Sequence, residues 1–145
     1  MYDPELDGYA FEDIKVGMRA TISRTITDTD LRNFSGVSGD TNPMHRSEEY
    51  AQKTRFKGTI VHGLLSASLL SAVVGTKLPG PGCIYVSQTL QFLAPVYVGD
   101  TVNATVTVKE LIAEKKRVVL TTQCKVKGKV VLDGEAVVIV LSKAA

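Results

Sequence analysis

The sequence predicts an α+β domain in which a curved antiparallel sheet covers one long buried helix. Two observations carry that expectation. Residues 62–77, within TIVHGLLSASLLSAVVGTKLPG, form a helical run with almost no charge on any side, which only a buried helix tolerates. After residue 82 the pattern changes to Val-, Ile- and Thr-rich runs joined by short polar turns, and short connections between consecutive strands favour antiparallel pairing.

The elements follow in chain order. MRATISRTIT, residues 18–27, alternates loosely with β-branched residues, as a half-exposed strand does. The following TDTD offers Thr27, Asp28 or Thr29 as the N-cap of a helix through Leu31 and Phe34, and Gly39 suits the left-handed position that ends it. Ser47 reads as the cap of a short helix, SEEYAQKT, with two glutamates where the helix dipole favours them. The apolar helix is closed by Pro79-Gly80 and is shorter and more polar than a bilayer span. Four strands complete the chain: CIYVSQTLQFLAPVYV, DTVNATVTVKELIA, KKRVVLTTQCKVK and KVVLDGEAVVIVLS. With no internal repeat or linker, residues 1–145 read as one domain, large enough to bury about two thirds of its unfolded surface.

Composition narrows the partners. Seventeen Lys and Arg against fifteen Asp and Glu leave a net charge of +2, too small and dispersed for nucleic acid or an anionic membrane. Cys83 and Cys124 sit in separate strand-like runs and read as buried free thiols. The acidic N-terminal stretch lacks the apolar core of a secretory signal, and LSKAA is not a peroxisomal address, so a cytoplasmic protein is expected.

The chemistry is concentrated in GDTNPMH, residues 39–45, which sets Asp40 and His45 five positions apart in a chain with only two histidines. Extended chain of that length spans about 17 Å, so both groups face one ligand only if the segment folds back. Asn42-Pro43 supplies the reversal, because proline pushes the preceding residue out of helical geometry and asparagine braces turns. A carboxylate beside an imidazole suits general acid-base chemistry. The second feature is Gly63, where unpaired N–H groups and the positive end of the helix dipole are available to polarise a carbonyl. An acid-base pair with a backbone oxyanion site equips a protein to move a proton next to a carbonyl. Nucleophile elbow, P-loop and dinucleotide-binding patterns are missing from the sequence. Ser66, Ser68 and Ser71 read as close-packing or back-bonding residues of the apolar helix.

Three stretches, SGDTNPMH, IVHGLLSASLLS and SQTLQFLAPVYVGDTV, resemble the MaoC-like hydratases, in particular the short (R)-specific enoyl-CoA hydratases, over most of residues 12–142. The resemblance implies a hot-dog fold and a homodimer, or a higher homo-oligomer, with active sites between subunits. It makes Asp40 and His45 the catalytic pair, the Gly63 N–H the thioester oxyanion donor, Ser71 a supporting residue and Asn42 an orienter of the loop. His62 is expected to pack or cap rather than act as a second base, and is also a candidate for substrate contact. Lys53, Arg55 and Lys57 in KTRFKG are candidates to meet the phosphates of coenzyme A. The implied reaction is reversible syn hydration of a trans-2-enoyl thioester of coenzyme A or acyl carrier protein, without metal or redox cofactor. Three rivals remain at this level: a hot-dog thioesterase, a metal site of Asp40, His45 and His62, and a non-catalytic acyl-thioester-binding module.

Overall fold

A computed structural model describes residues 1–144. A 3₁₀ turn, Phe11–Asp13, precedes strand β1 (Arg19–Thr25) and helix α1 (Asp28–Ser38). Two short helices, α2 (Pro43–Arg46) and α3 (Glu48–Gln52), lead to the long helix α4 (Gly63–Thr76). Strands β2 (Ile84–Gln88), β3 (Gln91–Phe92), β4 (Thr101–Ile112), β5 (Arg117–Val126) and β6 (Lys129–Ile139) follow. The sheet order is β1-β4-β5-β6-β2, every pairing is antiparallel, and β3 also pairs with β6.

Helix α4 lies across β1, β4 and β5. It buries Leu69, Leu70, Val73 and Val74 against the inward-facing Val102, Ala104, Val106 and Val108 of β4, whose alternation along the strand follows from the two-residue period of a pleated sheet. Cys124 is buried in the same core, and loss of hydration pushes its thiol up to about 12, so it packs as a small apolar group. No described helix is long and apolar enough to cross a membrane.

The run 83–98, read from sequence as one strand, is divided. β2 bulges between Tyr85 and Ser87, and the chain breaks at Thr89, whose Oγ1 accepts the Glu135 N–H at 3.0 Å in place of a ladder carbonyl. Gly134 admits this close approach, since a Cβ there would stand 1.9 Å from the Thr89 carbonyl oxygen. After β3 the regular ladder ends, with the Leu93 and Ala94 N–H groups sharing the Val131 carbonyl of β6 at 2.9 and 3.3 Å, and residues 93–96 line a cavity beside α4.

Candidate active site

The site begins with the end of α1. Thr27 and Asp30 form a reciprocal capping box at its start, and Gly39, at φ 79°, ends it with its N–H on the Ser35 carbonyl. Ser38 Oγ then accepts the Asp40 N–H at 3.1 Å, and Asp40 Oδ1 accepts the Asn42 N–H at 3.2 Å. Asn42 Oδ1 in turn accepts the Met44 N–H at 3.1 Å, with Pro43 as the first residue of α2. The reversal expected at Asn42-Pro43 is thus a helix start: the same dipeptide that bends a loop also suits an N-cap and first helical position.

This extra helical turn aims His45 inward. Its Nδ1 lies 2.7 Å from the Ile60 carbonyl oxygen. A carbonyl only accepts, so Nδ1 carries a proton, and of the two neutral tautomers this contact selects the one whose lone pair is on Nε2. The ring stacks on His62 with centroids 4.0 Å apart and planes 26° from parallel.

His62 is 2% exposed, and its Nε2 donates to the Asp40 carbonyl oxygen at 3.1 Å, with Ser35 Oγ at 3.3 Å. Burial, the largest influence, pushes the imidazole below its ordinary value; the bond to the Asp40 carbonyl opposes this, and repulsion from His45 adds to it. A neutral His62 therefore braces the Asp40 turn from behind and packs against His45. One carboxylate oxygen of Asp40 and one ring nitrogen from each histidine lie within 4.8 Å of one another. They make a poor metal cage. An ion must lie in the plane of each ligating imidazole, and two rings stacked at 4.0 Å with a 26° tilt have planes that meet well beyond the reach of an N–metal bond of about 2.0–2.1 Å.

The third component is the start of α4. His62 occupies the N-cap without a side-chain capping bond, and its carbonyl accepts from the N–H groups of Leu65 and Ser66. The N–H groups of Gly63 and Leu64 have no acceptor among the described residues. A cavity of about 420 Å³ opens in front of them. Asp40, His45, His62 and Gly63 line it on one side; Phe92, Leu93, Ala94, Pro95 and Val96 with Val131 and Leu132 form its apolar wall.

Other residues singled out by sequence fall in different places. Asn42 is exposed and braces the turn as described. Ser71 is exposed on α4 and does not line the cavity. Arg55 does line it, with its guanidinium 4.9 Å from the Phe56 ring centroid, whereas Lys53 and Lys57 are exposed away from it. Ser68 back-bonds to the Leu65 carbonyl and Ser66, 3% exposed, packs as expected, though it also lines the cavity and its Oγ has no partner among the described residues; exposed Ser71 is neither packed nor back-bonded. Phe92 was not anticipated; its ring lies where a Gly63 side chain would be. Only the one-turn spacing of Ser66 from Gly63 hinted at a shared face.

A model of the MaoC-like domain matches residues 11–130. This chain belongs to that family. The MaoC-like chain is 58% identical over 130 residues to the (R)-specific enoyl-CoA hydratase of Rhodospirillum rubrum, covering 90% of each protein. It is 49% identical over 140 residues to the 3-hydroxybutyryl-CoA dehydratase of Methylorubrum extorquens, covering 97% of this chain and 89% of that one. Among solved structures, the unliganded R-hydratase PhaJ1 from Pseudomonas aeruginosa is similar at a TM-score of 0.90 and 40% identity, covering 95% of this chain and 89% of that chain. The helix-and-sheet layout is accordingly the hot-dog fold of this family.

Proposed function

We propose that this chain is an (R)-specific enoyl-CoA hydratase, catalysing reversible syn addition of water to a trans-2-enoyl-CoA to give an (R)-3-hydroxyacyl-CoA. One observation carries the mechanism: Asp40, His45 and an unpaired N–H at Gly63 border a single cavity with an apolar wall. The thioester carbonyl accepts from the Gly63 N–H, which draws electron density from the double bond and makes C3 electrophilic. His45 Nε2, held in the right tautomer by Ile60, removes a proton from the attacking water with Asp40 beside it. As the C3–O bond forms, the former double-bond electrons pass to the thioester as an enolate. The pair then delivers a proton to C2, and the carbonyl re-forms. No residue is left charged differently from the start, so the proton taken from water is returned at C2 and the cycle balances.

The acyl chain lies along Phe92, Leu93, Val131 and Leu132, and Arg55 at the cavity is the cation of KTRFKG that meets the coenzyme A phosphates, with Lys53 and Lys57 adding only to the field around it. Asn42 orients the loop; Ser71, exposed on one protomer, supports a site only from a subunit contact. The unpaired outer edge of β2 exposes Ile84, Tyr85 and Val86, and Leu64, Phe92 and Leu93 are exposed near the cavity. A homodimer that covers these patches fits this reading, and free thiols at Cys83 and Cys124 suit a reducing compartment, the cytoplasm. A single domain carries the whole activity.

Incubation with crotonyl-CoA, following loss of enoyl absorbance and release of free thiol in parallel, tests the proposal. Hydration to the (R) product without thiol release is expected; thiol release without hydration would make the protein a thioesterase, and binding without either a non-catalytic module.

A further inference from the structure

His45 rides on very little regular structure. Helices α2 and α3 have four and five residues, too few to hold their shape without tertiary contacts. Residues 59–61 beside them are fixed from the opposite side, by the Val61 N–H on the Val96 carbonyl at 2.7 Å and by the bridge between Ile60 and Tyr97. The short helices fasten to this rail at three points. The Ile60 N–H donates to the Met44 carbonyl at 3.2 Å, and His45 Nδ1 donates to the Ile60 carbonyl. The third link is made by a side chain: Glu48 Oε2 accepts both the Thr59 N–H, at 3.1 Å, and the Thr59 Oγ1 hydroxyl. Its other oxygen accepts from Gln52 Nε2 at 2.7 Å, which fixes the carboxylate plane.

We propose that Glu48 is a positioning residue for His45, clamping the α2–α3 unit to Thr59 so that the adjacent Ile60 carbonyl stays in register with Nδ1. The proposal rests on the hydratase reading for its kinetic consequence, but not for its geometry. Two hydrogen bonds converging on one ionised oxygen are stronger than an exposed ion pair and more directional. On the far side of the unit the only comparable side-chain link among the described residues is Arg46 to Asp28, at 3.6 Å. Without the clamp the backbone bond from the Ile60 N–H to the Met44 carbonyl still holds the fold, but the His45 Nδ1 bond to the Ile60 carbonyl loosens, so His45 shifts and exchanges tautomer. A misplacement of about 1 Å can cost about 10²-fold in rate; with the Met44–Ile60 backbone bond intact and the His45 bond weakened rather than abolished, the expected loss is about tenfold.

The test uses Glu48→Ala, Glu48→Gln and Thr59→Val in the full chain, labelled with ¹⁵N-histidine. Two histidines make the long-range ¹H–¹⁵N spectrum directly readable. In the wild type His45 is expected as the Nδ1–H tautomer; in Glu48→Ala it becomes a tautomer mixture, kcat on crotonyl-CoA falls about tenfold and KM stays within about twofold. Glu48→Gln, whose amide oxygen still accepts from Thr59, restores the single tautomer and most of the turnover. Should Glu48→Ala fail to fold, Thr59→Val, which keeps the backbone bond, reads the same quantities at about threefold. A folded Glu48→Ala or Thr59→Val protein with an unchanged His45 tautomer overturns the clamp. A wild type inactive on crotonyl-CoA whose His45 tautomer still depends on Glu48 refutes the hydratase reading and supports the clamp.

Discussion

Gly63→Ala separates an N–H that merely starts a helix from one that must face a ligand. The added methyl would sit 2.6 Å and 2.7 Å from two ring carbons of Phe92, against favourable carbon contacts of about 3.5–4.0 Å. The ring therefore retreats by about 1 Å. It is 55% exposed on the two-residue β3, so it moves into solvent with little loss of buried contact. Stability should change by no more than about 1 kcal/mol, a Tm shift of about 4 °C. Catalysis is another matter, because methyl and displaced ring together crowd the approach of the thioester oxygen to the N–H. Loss of one oxyanion donor costs about 10²–10³ in rate, so kcat/KM for crotonyl-CoA hydration should fall about 10²-fold, or about 2.7 kcal/mol of transition-state stabilisation. A Gly63→Ala protein with kcat/KM within threefold of wild type would refute the oxyanion assignment.

Two further outcomes concern the buried polar groups around the cavity. Ser66→Ala removes a buried hydroxyl without a partner, so thermal unfolding should show an unchanged Tm or a gain of up to about 1 kcal/mol, while Ser66→Leu should raise KM, most for the longest acyl chains; a Tm loss of several degrees in Ser66→Ala would contradict this. His62 is held below its ordinary value in the folded protein, so below pH of about 6.5 the unfolded chain binds the extra proton, and the contribution present above that pH is lost progressively as pH falls toward the folded value. Tm should therefore drop more between pH 7.5 and 5.0 in the wild type than in His62→Gln, whose amide can still donate to Asp40; the lowered carboxyls of Glu12, Asp30 and Glu48 respond only at more acidic pH. Parallel declines in the two proteins would show that His62 does not carry the effect.

What could be read from the chain depended on how local the governing physics is. The Thr27 cap, the Gly39 terminus and the Ser47 cap are signals confined to a few residues, and the burial of α4 follows from a run without charge, so these elements and strands β4 to β6 were legible. The division of residues 83–98 was not, because the break at Thr89 depends on Gly134, forty-five positions away, leaving room for a carbonyl. The same distinction holds at the site. Asp40, His45 and Gly63 announce themselves by residue type and turn context, whereas Ile60 acts through its carbonyl, Phe92 through the position of its ring and Glu48 through a contact with Thr59. None of these three carries a mark in its own identity, since each role exists only once α2 and α3 fold back against residues 59–61 and residues 92–96 reach the start of α4.

The most direct measurement is a double-mutant cycle on turnover of crotonyl-CoA with Asp40→Asn, His45→Ala and the combined variant, each checked for an intact fold by thermal unfolding. Residues that act on one proton as a unit are strongly non-additive. Each single variant should lose at least about 10³-fold in kcat, and the double variant should be hardly worse than either. A single variant that keeps a tenth of wild-type turnover, or losses that simply multiply, would contradict the claim that this carboxylate and imidazole work together over one bound thioester.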